Sequence, residues 1–244
     1  MHYPVPLLPA RLVRRYKRFL ADVEMADGEV VTVHCPNPGS MLGLAEPGSD
    51  VWLLPAQNRT SKLPFGWELV RADGVLVGIN ASRPNRLVEE ALAEGLVPEL
   101  AGYSSVRREV RYGTRSRVDL LLEHPGRPPC YVEIKNVHLR RDGLAEFPDS
   151  VTARGARHLA ELAAMVETGA RAVMLYVVQR GDCAAFRLAD DLDPGYAAAF
   201  ADAVARGVEA VCYDCHVGAG GITFRSPLPV LDASPTPRIR AFTG

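Results

Sequence analysis

The chain has 244 residues, 48% of them hydrophobic and 23% charged, and 28 Lys and Arg against 29 Asp and Glu leave a net charge of −1. These proportions belong to a folded chain of one large domain or two modest ones, and exclude a disordered or fibrous protein. No apolar signal core opens the chain and no run approaches the ~20 apolar residues of a membrane span, so the protein reads as cytoplasmic with no membrane partner.

Residues 1–83 carry short alternating runs broken by turns. "RYKRFLADVEMADGEVVTVHC" reads as a hairpin with Asp27 and Gly28 at its tip. "PNPGSM" is a turn cluster, and "SDVWLLPA" and "WELVRADGVLVGI" follow as strands, the latter hinged at Asp73-Gly74. This spacing predicts a small OB-like β-barrel. Within it "ARLVRRYKRFLAD" places five Lys and Arg before Asp22. A polyanion groove and solvated strand faces both fit such a patch. On the first reading Arg14, Arg15, Tyr16, Lys17 and Arg18 grip a nucleic-acid backbone; Phe19 is expected in the barrel core.

From residue 84 to 230 the pattern changes to an α/β layer. "NRLVEEALAEGLV" has helical periodicity, "SSVRREVRYG", "RVDLLLE" and "CYVEIKNV" read as strands, and a polar loop precedes the helix "SVTARGARHLAELAAMVETG". The strand "RAVMLYVVQR", a third helix "PGYAAAFADAVARGV" and the strand "EAVCYD" complete one central mixed sheet, and residues 231–244 read as a flexible tail. "CYDCH" (212–216) matches the local pattern of covalent haem attachment. It stands at the end of an apolar strand, where small buried residues belong, and is read as coincidence, with no haem.

The strand charges carry the chemistry. Glu133 and Lys135 lie two apart and share a strand face. If their strand pairs with "RVDLLLE", Asp119 lies opposite. Two carboxylates converging there, with the Ile134 backbone carbonyl, would suit Mg²⁺ or Mn²⁺, and Lys135 could orient water or meet phosphate charge. Such a site would cleave phosphodiesters; a cross-strand salt bridge is the other reading of the same spacing. Glu89 or Glu90 could lean over the sheet from the preceding helix. Arg154 and His158 are four apart on one face of the following helix, Arg115 and Arg117 belong to a run of five arginines between Arg107 and Arg117, and all four are expected to contact nucleic acid.

The segments "VHCPNPGSMLGL", "VEEALAEGLVPELAGY", "SRVDLLLE", "CYVEIKNVHL" and "FPDSVTARGARHLAEL" resemble the sugar fermentation stimulation protein family of prokaryotes, over about residues 3–230. The resemblance implies an OB-like domain joined to a PD-(D/E)xK nuclease-like domain, in proteins described as DNA-binding and as candidate regulators of maltose metabolism. It maps Asp119, Glu133 and Lys135 onto the nuclease core motif, Glu90 onto the acid of the first core helix, and Arg154 and His158 onto an "RGxxHL" motif. Pro38 stands where threonine is usual, Arg157 where lysine is common and His138 where threonine is frequent. Two functions follow as expectations: a Mg²⁺-dependent nuclease acting on DNA, or a non-specific DNA-binding regulator with little or no cleavage. A third, a salt-bridged sheet face that binds another protein, predicts no affinity for metal. No helix with a readable base code stands out, so DNA binding is expected without sequence specificity.

Overall fold

The computed structural model describes residues 1–57, 60–113 and 116–231. The first unit is built from β1 (Leu8–Tyr16), β2 (Leu20–Glu24), β3 (Val30–His34), β4 (Asp50–Pro55) and β5 (Phe65–Ala72), with β6 (Val75–Gly78) added to the edge of β5. The pairing order β1-β2-β3-β5-β4-β1 closes these five strands into the expected barrel. Alternation drives it: in β1, Ala10 and Leu12 point inward while Arg11 and Val13 face solvent. The β2–β3 hairpin turns near Asp27-Gly28 as expected. A second, unexpected turn breaks "LVRRYKRF", because Lys17 and Arg18 both adopt left-handed backbone (φ 48° and 64°). Phe19 therefore sits on a hairpin tip at 46% exposure and not in the core.

The second unit comprises α1 (Arg83–Ala93), β7 (Ser105–Tyr112), β8 (Ser116–Glu123), β9 (Cys130–Val137), β10 (Leu139–Arg141), β11 (Leu144–Phe147), α2 (Ala153–Glu167), β12 (Arg171–Val178), β13 (Phe186–Leu188), α3 (Pro194–Ala205), β14 (Glu209–Gly218) and β15 (Gly221–Pro227). Its central sheet runs β15-β14-β12-β9-β8-β7 and is mixed, with β9, β12 and β14 parallel. β12 is apolar from Ala172 to Val178 because helices cover both faces. One face packs on α1 and the other on α2 and α3.

The segment read as a polar loop supplies β10 and β11, which form a small sheet with β13, and β13 and β15 are further strands beyond those expected. Met1, Tyr3 and Leu7 join the α1-side core of the second unit. Cys212 and Cys215 of "CYDCH" lie in the cores on opposite faces of the central sheet, so the two sulfurs do not share a site. The expected tail lies outside the described residues except for Leu231, and among the described residues no helix is long and apolar enough to cross a membrane.

Candidate functional site

β8 and β9 pair from Leu122/Cys130 up to Leu120/Val132, and there the ladder stops. Asp119 and Glu133 face each other just past this fork. The Asp119 carboxylate replaces the missing backbone acceptor: Ile134 N–H donates to its Oδ2 at 2.7 Å, and Asn85 Nδ2, at the start of α1, donates to Oδ1 at 3.0 Å. In an extended strand the N–H and C=O of one residue point to the same edge, which turns the Ile134 carbonyl toward the fork as well.

Glu133 is 3% exposed. Its Oε1 accepts from Lys135 Nζ at 2.7 Å and from His158 Nδ1, while its buried Oε2 has no partner among the described residues. Arg154 Nε donates to His158 Nε2 at 3.2 Å. With Nε2 facing the Arg154 donor, Nδ1 is the ring nitrogen that meets Glu133.

The two acids are driven apart. Burial and then the Glu133 charge push the Asp119 carboxyl up, more than the Ile134 amide, Asn85 and Lys135 hold it down. Burial also raises Glu133, but His158 and Lys135 outweigh it and leave that carboxyl below its ordinary value. A shared proton therefore belongs to Asp119.

These groups line a cleft of about 730 Å³ between the barrel and the central sheet. Its barrel wall is the turn 37–40, held from behind by Arg15, which donates to the carbonyls of Asn37, Gly39 and Ser40 at 2.9, 2.8 and 3.0 Å. The same turn docks on Asp149: Met41 N–H donates to its Oδ2 at 2.8 Å, and a Cβ on Gly39 would lie 2.5 Å from either carboxylate oxygen. His138 Nε2 meets that carboxylate at 3.2 Å. Burial raises Asp149, but the His138 hydrogen bond and charge, with the Met41 amide and Ser40, hold it down at about 2.

An orphaned, buried carboxylate oxygen beside a second carboxylate fits a hard cation such as Mg²⁺ or Mn²⁺. Among the described residues no three His, Cys, Asp or Glu side chains converge as a ready metal cage. The groups that could hold such an ion are Asp119, Glu133 and the Ile134 carbonyl.

Residues 13–79 match the SfsA N-terminal OB domain, and residues 82–221 the sugar fermentation stimulation protein RE domain. A sugar fermentation stimulation protein homolog of Paramagnetospirillum magneticum is 58% identical over 228 residues, covering 93% of this chain and 97% of the relative. The chain belongs to the sugar fermentation stimulation protein family. A family homolog of Rhodospirillum centenum is 60% identical over 223 residues, 91% of this chain and 96% of its own. Among solved structures, that of Pyrococcus furiosus SfsA in complex with Ca²⁺ superposes with a TM-score of 0.87 at 27% identity, covering 94% of this chain and 97% of that one.

Against the residues expected from the family, the structure brings Asp119, Glu133, Ile134 and Lys135 together and leaves Glu90 out. The Glu90 carboxylate is taken by the Met1 amino group at 2.6 Å and by Arg86 at 2.9 Å. The reason is helical phase. Asn85 and Glu90 are five residues apart, ~140° around the axis, and fall on opposite flanks of the buried stripe Pro84, Leu87, Val88 and Ala91. Asn85, which no sequence signal marked, is the α1 residue that reaches Asp119. Glu89 pairs with Arg108.

The expected nucleic-acid contacts divide similarly. His158 is 3% exposed and committed to Glu133, so it orients that acid and offers nothing to a ligand's backbone. Arg15 is the internal clamp just described. Arg14 and the Tyr16 hydroxyl both bond Asp22, at 2.8 and 3.0 Å, with the guanidinium over the Tyr16 ring. Lys17, Arg18, Arg117 and Arg154 are exposed, and Arg18 and Arg154 line the cleft. Arg115 lies outside the described residues.

Proposed function

We propose that this family member is a divalent-metal-dependent phosphodiesterase acting on DNA in the cleft between barrel and central sheet. The observation that carries this reading is the unpartnered Glu133 Oε2 beside Asp119. A buried carboxylate oxygen with no donor costs free energy in the resting protein, and a strand kept for architecture alone has no use for one. Asp119, Glu133 and the Ile134 carbonyl would hold Mg²⁺ or Mn²⁺, which when bound supplies Lewis acidity and an acidified water. His158, with Arg154 at its Nε2, keeps Glu133 ionised and oriented. Lys135 holds a positive charge on the cleft side of Glu133, where phosphate charge would develop.

DNA is the ligand class that the exposed cations favour. Arg18 and Arg154 face the cleft, and Arg111 stands directly across from Arg117 on the edge pair β7–β8 with both side chains exposed. Like charges opposite one another destabilise a bare sheet, and a polyanion relieves them. The Ca²⁺ bound by the Pyrococcus furiosus relative supports an oxygen-lined cation site in this fold. The pairing of Lys135 with Glu133 favours a second reading, a DNA-binding regulator that does not cleave.

Titration calorimetry with Mg²⁺ and Mn²⁺, run beside cleavage assays on single- and double-stranded DNA, separates the two. The unaltered chain is expected to bind metal and cleave, and Asp119→Ala/Glu133→Ala to do neither while still binding DNA. Salt-dependent DNA binding without metal binding or cleavage in either protein would leave the regulator.

A further inference from the structure

Seven buried side-chain nitrogen or oxygen atoms lack a hydrogen-bond partner among the described residues, and four of them belong to three residues of one neighbourhood: Glu133 Oε2, both carboxylate oxygens of Glu161, and the Tyr112 hydroxyl. Native proteins keep such atoms few, so four in one place call for an occupant. Glu161 lies three residues after His158, on the same face of α2, and neighbouring Cβ atoms at that spacing are about 5–6 Å apart. Its carboxyl rests against the end of β7, where a Cβ on Gly113 would lie 3.2 Å from Glu161 Cδ.

Tyr112, at 6% exposure, closes the group from the edge strand. Its ring centroid is 5.6 Å from that of Tyr131, two residues before Glu133 on the same strand face. Burial first, then the charges of Glu133, Glu161 and Asp119, push the Tyr112 hydroxyl up, so all three acids are within electrostatic reach of it. Glu90 has a cation at each oxygen; Glu161 has none among the described residues.

We infer that Glu161, from the second helix, supplies the third acid of the cation site in place of Glu90, and that it acts with the Tyr112 hydroxyl through water. The inference rests on the metal-dependent reading above. Because no three acids converge directly, Glu161 and Tyr112 accept hydrogen bonds from water carried by the cation that Asp119 and Glu133 hold. Mg²⁺ favours this arrangement, since it keeps several of its waters and takes only one or two carboxylates. Partners one shell out are worth about 10–100-fold in metal affinity.

The test is Mn²⁺ and Mg²⁺ titration calorimetry on the full chain and on Glu161→Gln, Tyr112→Phe and Glu90→Gln, with melting of each protein in metal-free buffer. Glu161→Gln is expected to weaken Mn²⁺ binding by about tenfold or more, and Tyr112→Phe by less. Glu90→Gln should leave the affinity within about twofold, as expected of a group outside the cation's shells. Metal-free Glu161→Gln is expected to melt at or above the unaltered chain, because an unpaired buried carboxylate has gone. Unchanged metal affinity in Glu161→Gln, with or without a fall in its melting temperature, overturns the inference alone if Asp119→Ala/Glu133→Ala has lost binding. No metal binding by the unaltered chain overturns both this inference and the reading beneath it.

Discussion

Arg180, at the seam between barrel and central sheet, and Glu133, at the cleft, are both almost fully buried, at 1% and 3% exposure, yet their polar atoms are treated differently. Every guanidinium nitrogen of Arg180 is bonded. Nε and one terminal nitrogen bind Asp182 at 2.7 and 2.8 Å, that terminal nitrogen also binds Asp73 of the barrel at 2.8 Å, and the other donates to the His138 carbonyl at 3.2 Å. Among the described residues, Glu133 has two donors on one oxygen and none on the other. A satisfied buried network holds parts in register, whereas the unsatisfied one, on the function proposed above, keeps capacity for a cation. The seam fixes the cleft wall, and the site uses it.

If that contrast is right, the seam should dominate stability. Arg180→Ala removes the buried cation of this network, leaves the His138 carbonyl without that donor and leaves Arg140 as the remaining cation on Asp182, so the cost is expected at the lower end of the range for broken buried pairs, about 3 kcal/mol. Urea denaturation is expected to show a loss of this size with barrel and sheet signals still coincident. A loss below about 1 kcal/mol would demote the seam to a surface-like contact.

The second seam element gives a pH signature. Asp149 is held at about 2 in the folded protein against an ordinary 3.8. A carboxyl depressed by folding contributes stability above its unfolded value and loses it as pH falls through the folded one. Asp149 therefore supports the fold fully above about pH 4 and fades toward pH 2, by about 2 kcal/mol. Denaturant midpoints of the unaltered chain and Asp149→Asn should converge across that window. Parallel curves from pH 5 to pH 2 would mean that the Met41 and His138 bonds do not hold the carboxylate in solution.

The site was more legible in the sequence than the seam. Strand alternation put Glu133 and Lys135 on one face, and hairpin pairing brought Asp119 opposite, so period-two geometry sufficed. Helix phase was not so readable. Glu89 and Glu90 both offered an acid, and only the packing of Leu87, Val88 and Ala91 decides that Asn85 faces the fork. The turn at Lys17 and Arg18 carries neither Gly nor Asn, so the usual hairpin signal was absent and Phe19 was misplaced inward. β10 and β11 are three and four residues long and carry charge, too short and too polar for periodicity to mark. The bond from Asp149 to Met41 spans 108 residues, and no local pattern anticipates that distance.

The smallest effect bears on the comparison from the site side. Burial and the facing Glu133 charge hold the Asp119 carboxyl above its ordinary value. An acid raised by folding binds its proton more tightly in the folded state, so above its folded value it costs stability, and the cost fades as pH falls through that value. Asp119→Asn keeps the shape and an acceptor for Ile134 N–H while removing the charge. The metal-free variant is therefore expected to gain stability at pH 7 and to lose that advantage as pH falls toward the ordinary carboxylate range. Saturating Mn²⁺ should reverse the order, since bound ligand stabilises only the protein that holds it. A metal-free Asp119→Asn chain that is less stable at pH 7 would mean that the carboxylate earns its place structurally through Ile134 and Asn85, and the site would then be of the same kind as the seam.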